Sequence, residues 1–315
     1  MEQALNQVSW FDLLPPPIQT VLSEQLMDTS GLEEIRLRVG QPIECVSHES
    51  SRLLGGREPK GLYLFNRTDA NHLLNQLSRY SVYAYEEEIR QGFLTIAGGH
   101  RVGLSGKARI VDGQVQTLQD ISSFNIRIAK HVELDTSKLY PYLYNQRWMQ
   151  TVIVGSPGSG KTTLLRELAR MASTGSNSLN ISPKRTVIVD ERSELAASID
   201  GVPSFDLGRR IDVLDRCPKA EGMMMMIRSM NPDVLVVDEI GRAEDAEALN
   251  EATMAGVSVF CSVHGSSFSD VKKRPVMRSL FNDKVFDRIL FLSTPRNRRQ
   301  VSIYDHSQQL GVISI

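Results

Sequence analysis

The sequence predicts an α/β chain in two parts, a smaller α+β domain followed by a larger domain built on a parallel sheet. Three observations carry this. A length of 315 residues is comfortable for two cores of ordinary size. Up to about residue 130, short β-like runs are separated by glycines and by one helical stretch. From Thr151 onward, short β-branched runs alternate with helical stretches, the pattern of parallel strands joined by crossover helices.

In chain order, Pro15–Pro17 punctuates two apolar segments. Glu34–Val39 reads as a strand ending at Gly40, Gly92–Ala97 as a second and Arg101–Leu104 as a third. Between the first and second, Asp69–Arg90 predicts a helix, with Leu73, Leu74, Leu77 and Val82 near helical spacing. These elements make an N-terminal α+β domain over 1–130, and 131–150, with Pro141 and several tyrosines, reads as a connector. The domain over 151–315 has strand-like runs at Thr151–Val154, Thr186–Val189, Val234–Val237, Val257–Cys261 and Arg288–Leu292. Residues 173–182, rich in Gly, Ser and Asn, read as a surface loop, and Gln300–Tyr304 and Val312–Ile315 as edge strands.

Composition narrows the function classes. With 41% hydrophobic and 23% charged residues the chain reads as globular. Lys plus Arg is 36 against 37 for Asp plus Glu, without the basic excess of a dedicated nucleic-acid binder, so no nucleic-acid partner is expected. Cys45, Cys217 and Cys261 form no Cys-x-x-Cys pair, which argues against structural zinc and a disulfide framework and fits a reducing cytoplasm. The N-terminus lacks the basic and apolar regions of a signal peptide, and no apolar run approaches the ~20 residues that span a bilayer.

The strongest local signal is Gly155-Ser156-Pro157-Gly158-Ser159-Gly160-Lys161-Thr162, a complete G-x-x-x-x-G-K-[ST] loop between a strand and a helix that opens at Thr163. Glycines let the backbone curl so that successive N–H groups face an anion, and the helix N-terminus adds its partial positive charge. Lys161 then reaches the β- and γ-phosphates of ATP, and the Thr162 hydroxyl suits Mg²⁺.

Two strands end in acidic pairs. Val234-Leu-Val-Val-Asp238-Glu239 is a Walker-B pattern, with Asp238 for the metal and Glu239 for the attacking water. Thr186-Val-Ile-Val-Asp190-Glu191-Arg192 repeats that grammar, so Glu191 is a second candidate base and Asp190 a second candidate for the metal shell. The sequence leaves the base open between Glu239 and Glu191. His264 ends the run Val257–Val263, where it suits sensing of the γ-phosphate. Met223–Met226 reads as helix core. Arg209-Arg210 and Lys272-Lys273-Arg274 read as solvated faces or subunit contacts, and Arg296, Arg298 and Arg299 as a weak basic cluster that favours an anionic surface.

These residues resemble the stage III sporulation protein AA family, relatives of the type II and type IV secretion ATPases. The resemblance spans nearly the whole chain and is most specific at Glu34–Gly40, Gly98–Gly106, Ser123–Ile128, Val189–Glu194, Asp212–Gly222 and Asp238–Gly241. It implies a RecA-like P-loop NTPase domain with a parallel sheet, preceded by a smaller α+β domain, with ATP held between the two and hexameric assembly. It implies an Asp box at Asp190-Glu191, a His box at His264, and nucleotide-contacting arginines in the regions of Arg101 and Arg127. It also implies work on membrane-embedded components of a sporulation channel, from the cytoplasmic face of the mother-cell membrane. Asp238 departs from secretion ATPases, which often keep only the glutamate at this position, and is closer to RecA-like and AAA motors; no tetracysteine motif is present. The expected activity is ATP + H2O giving ADP + phosphate, with a RecA-like nucleic-acid motor and a non-catalytic ATP-binding scaffold as rivals.

Overall fold

The structure, a computed structural model, describes residues 10–26, 31–47, 50–54, 63–129, 134–294, 299–306 and 308–315, apart from the side chains of Ala84 and Phe268. The chain divides into two units between His131 and Val132.

In the first unit, helix α1 (Pro16–Gln25) precedes strands β1 (Leu32–Arg38), β2 (Ile43–Ser47) and β3 (Ser51–Leu54). Helices α2 (Arg67–Leu77) and α3 (Glu86–Gln91) follow, then β4 (Phe93–Ile96), β5 (His100–Val111) and β6 (Gln114–Arg127). The sheet order is β3-β2-β1-β6-β5-β4, every neighbouring pair antiparallel. Leu32, Ile35 and Leu37 of β1 are buried with Phe65, Leu73 and Phe124 in one core. Asn66 caps α2 by accepting from the amides of Thr68 and Asp69, and Asp69 accepts in return from the Asn66 amide at 3.0 Å.

The single helix expected over Asp69–Arg90 is broken. It stops at Leu77, and Arg79 and Tyr80 take left-handed backbone (φ +48° and +61°) before a 3-10 turn over Val82–Tyr85 leads into α3. Apolar spacing fails there because Tyr80 and Val82 are exposed, so no buried face carries the helix through. Beyond Ser105, β5 and β6 run on as a solvated ribbon closed by Asp112-Gly113, both at positive φ as a two-residue hairpin turn requires.

In the second unit, α4 (Tyr140–Leu143) and the small hairpin β7 (Tyr144–Asn145) and β8 (Arg147–Trp148) lead into β9 (Thr151–Gly155) and α5 (Lys161–Thr174). Then come β10 (Thr186–Asp190), β11 (Ile211–Asp215), α6 (Lys219–Met230), β12 (Val234–Val237), α7 (Ala243–Met254) and β13 (Ser258–His264). The chain ends with α8 (Phe268–Lys272), α9 (Pro275–Asn282), β14 (Arg288–Ser293), β15 (Gln300–Asp305) and β16 (Gln308–Ser314). Among the described residues these strands form one sheet in the order β11-β10-β12-β13-β9-β14-β15-β16, parallel from β11 to β14 and antiparallel at β15 and β16.

Alternation in the central strands divides their side chains between two cores. Ile153, Ile188, Val236 and Phe260 pack with Leu164, Leu165 and Leu168 of α5. Val152, Val154, Leu235, Val237 and Val259 pack with residues of α6, α7 and α9. This is a RecA-like α/β domain that follows a smaller α+β unit in the chain. Met223 and Met226 are core, whereas Met225 is 48% exposed.

Residues 134–150, set aside above as connector, contribute Leu134, Leu139, Tyr140, Leu143 and Trp148 to the first of these cores; 131–133 lie outside the described residues. Trp148 is 1% exposed and meets Tyr140, Tyr144 and Phe260 edge to face at 6.2, 5.2 and 5.4 Å. Trp148→Ala is expected to cost about 3–5 kcal/mol of stability. Urea unfolding of the variant checks this, and an unchanged midpoint would show that the indole is not a core anchor.

Candidate functional site

Parallel order places the carboxyl ends of β9, β13 and β12 side by side, and the glycine loop, His264 and Asp238-Glu239 leave the sheet there. The loop over 155–162 opens α5, so its amides and the helix N-terminus share one electropositive mouth. Lys161, 5% exposed, donates to the Ser156 carbonyl at 3.0 Å and to His264 Nδ1 at 3.0 Å. Burial pulls its ammonium below the usual lysine pKa, against the opposing pull of Asp238 and Glu239.

His264 Nε2 then donates to Glu239 Oε1 at 2.6 Å, which makes a line Lys161–His264–Glu239 through one imidazole tautomer. Arg192 Nη1 donates to the other glutamate oxygen, Oε2, at 2.6 Å. Glu239 itself sits at φ +53°, a left-handed conformation that costs a non-glycine residue about 1–2 kcal/mol. Such strain persists where surrounding contacts over-determine it, and here its amide is held by the Asp238 carboxylate and the Ser262 hydroxyl, both at 3.0 Å.

Thr162 Oγ1 donates to Asp238 Oδ2 at 2.7 Å, and Ser262 donates to Asp238 Oδ1. A threonine hydroxyl beside a carboxylate is a hard oxygen pair of the kind Mg²⁺ takes while keeping waters and substrate phosphates as its other ligands. The residues present therefore fit that ion. A cavity of 280 Å³ lies beside the loop, lined by residues 156–159, Ser266 and Thr294 among others.

The second acidic pair behaves differently. Asp190 is 2% exposed, and its carboxylate accepts from the amides of Glu194, Leu195 and Ala196 at 2.9, 2.9 and 2.8 Å. Arg166 of α5 donates to the carbonyls of Leu195 and Glu194, so two charged side chains hold one loop. Asp190, a candidate above for the metal shell, is thus engaged in shaping this loop. Glu191 is paired with Lys219 of α6.

Burial pushes the Asp190 carboxyl from 3.8 up to about 6, helped by Asp215 and opposed by the three amides. The folded chain therefore keeps a proton that the unfolded chain releases near pH 4. That stabilising contribution is complete below about pH 4 and is lost as pH rises through about 6, up to about 3 kcal/mol in all. Asp190→Asn is expected to flatten the fall in stability between those pH values. Urea midpoints measured across the range check it, and an unchanged slope would contradict it.

Arg101 and Arg127 lie in the first unit, directly opposite each other on β5 and β6, so their side chains share a face. Arg101 stacks over Phe93 at 3.5 Å, and Arg127 lies 3.8 Å from Glu34. Arg296 and Arg298 fall outside the described residues. Arg192 and Ser262 escaped the sequence reading. Their signals were an arginine directly after an acidic pair and a lone hydroxyl in an otherwise apolar run.

Residues 5–310 match the sequence profile of the family described as "Sporulation stage III, protein AA". The chain is 48% identical over 303 residues to Stage III sporulation protein AA of Bacillus subtilis (strain 168), covering 96% of this chain and 95% of that one. Among solved structures, the Legionella pneumophila ATPase DotB is similar over 87% of this chain and 76% of its own, with TM-score 0.57 and 17% identity. The pilus retraction motor PilT with bound ADP is similar over 91% of this chain and 80% of its own, with TM-score 0.58 and 15% identity. At such identities these two establish the fold alone. The chain belongs to the sporulation stage III protein AA family, built on the RecA-like fold of such ATPases.

Proposed function

We propose that the chain is a Mg²⁺-dependent ATP hydrolase that works as a ring motor on a membrane channel complex in sporulation. The carrying observation is the convergence of Lys161, Thr162, Asp238, Glu239 and His264 at adjoining strand ends around a phosphate-binding loop. The amides of the loop over 155–163 cradle the phosphates, and Lys161 exchanges the Ser156 carbonyl for the β- and γ-phosphate oxygens. Thr162 and Asp238 would hold Mg²⁺, which would supply positive charge against the phosphates.

Glu239 orients the attacking water and takes its proton. His264 keeps that carboxylate aimed, and Arg192 has to let go of Oε2 before the water binds there. Glu191, occupied by Lys219, is the alternative base. Arg101 and Arg127 put two positive charges at one register, a pattern suited to a polyphosphate, and we extend the proposal of ATP contact to them.

The sporulation setting rests on the Bacillus subtilis relative's name, and homo-hexameric assembly on the resemblance to secretion ATPases. No described helix is long and apolar enough to cross a membrane, so work on a membrane channel would go through membrane-embedded partners at the cytoplasmic face in the mother cell. Phosphate release from ATP by the whole chain tests the reading. The expected result is release that stops when Mg²⁺ is chelated, from a particle of six chains. A chain that binds no ATP in the presence of Mg²⁺ would overturn it.

A further inference from the structure

Gly160 closes the phosphate loop at φ +99°, and a Cβ built on it would lie 3.4 Å from the Arg299 Nε and 3.7 Å from Leu292. A half-buried guanidinium thus lies against the turn whose amides open α5. Among the described residues no carboxylate lies within ion-pair distance of it. Its main chain is fixed: Gln300 pairs with Ser293 of β14 and Ser314 of β16, and the Arg299 carbonyl accepts from the Ile315 amide at 3.1 Å. A cation with no side-chain counter-charge among the described residues, beside an anion-binding loop, suits an anion as its partner. A second observation lies close by. The Ser159 hydroxyl is buried without a hydrogen-bond partner, and Ser159 lines the 280 Å³ cavity together with Leu292, Ser293 and Thr294.

Strand order says which phosphates are meant. Asp238, Glu239 and His264 flank the loop from β12 and β13, while Arg299 flanks it from the other side, at the root of β15 beyond β14. The chemistry of the terminal phosphate belongs to the carboxylate flank. The opposite flank is left for the phosphates that stay with the nucleoside.

We propose that Arg299 binds the α- and β-phosphates of the nucleotide, so that the site holds nucleoside diphosphate as well as triphosphate through it. This rests on the ATPase reading given above. Arginine presents paired donors that lysine cannot reproduce, and an ammonium recovers only the charge.

The test is titration of the whole chain with fluorescent ADP and with a non-hydrolysable fluorescent ATP analogue, for wild type, Arg299→Ala, Arg299→Gln and Arg299→Lys. Melting temperatures confirm that each variant folds. Both nucleotides are expected to weaken together by roughly 10- to 100-fold in the alanine and glutamine variants, with part of the loss recovered by lysine. In turnover KM should rise while kcat stays within about twofold of wild type. Unchanged ADP affinity in Arg299→Ala would overturn the inference, whether or not ATP weakens. A wild-type chain that binds neither nucleotide would overturn the ATPase reading and this inference with it.

Discussion

Glu239→Gln is expected to bind ATP within a few-fold of wild type and to release phosphate roughly 10²–10⁴-fold more slowly. The amide keeps the size of the side chain and one acceptor oxygen, so His264 Nε2 retains a partner at the position now occupied by Oε1. What it loses is the basic oxygen that takes a proton from water. It also loses the charge that Arg192 pairs with at 2.6 Å. Arg192 is more than half exposed at that ion pair, so losing it has little effect on stability and the variant should fold normally. Phosphate release and ATP binding measured on one preparation separate the two effects. Loss of both together would mean that Glu239 serves in binding rather than in chemistry.

Lys161→Ala is expected to weaken ATP by roughly 10- to 100-fold and to stop hydrolysis. The ammonium is already aimed into the loop mouth by the Ser156 carbonyl and His264, so its approach to phosphate needs only an exchange of acceptors. Because burial disfavours its charged form, removing it relieves the folded state of a desolvated cation. The melting temperature should therefore not fall while ATP binding does, a combination that a merely structural lysine would not produce. A variant that binds ATP like wild type would contradict the role.

Much of this site was legible in the sequence because buried parallel strands are written as β-branched runs with their chemistry at the ends. Thr151–Val154, Val234–Val237 and Val257–Val263 are such runs, and the residues after or at their ends, from Gly155 to Thr162, Asp238, Glu239 and His264, converge in space. The two acidic pairs show where that grammar stops. Asp190-Glu191 and Asp238-Glu239 end their strands alike, yet Asp190 is engaged by three amides of its own loop and Glu191 by Lys219. Those partners come from loop curvature and from a later helix, which no local pattern encodes.

The first unit was harder to read for the same reason. β3 and most of β6 carry polar residues suited to an edge and a solvated ribbon, and the inner strand β2 mixes Glu44 and Ser47 with its apolar positions, so all three lack the apolar run that marks a central strand. The break after Leu77 has neither glycine nor proline to announce it. Residues 134–150 looked like a connector because their aromatic side chains form no periodic pattern, although Trp148 sits in the core. Arg192, Ser262 and Arg299 reach the site only through tertiary neighbours, from the ends of β10, β13 and β15.

The most direct measurement is steady-state phosphate release with Mg-ATP for wild type, Glu239→Gln and Glu191→Gln, with ATP binding recorded for each. The expected result is release by wild type, silence from Glu239→Gln with binding retained, and continued release by Glu191→Gln. Release that survives in Glu239→Gln and collapses in Glu191→Gln would contradict the assignment of the base, and a wild-type chain that binds ATP but releases no phosphate would contradict the hydrolase itself.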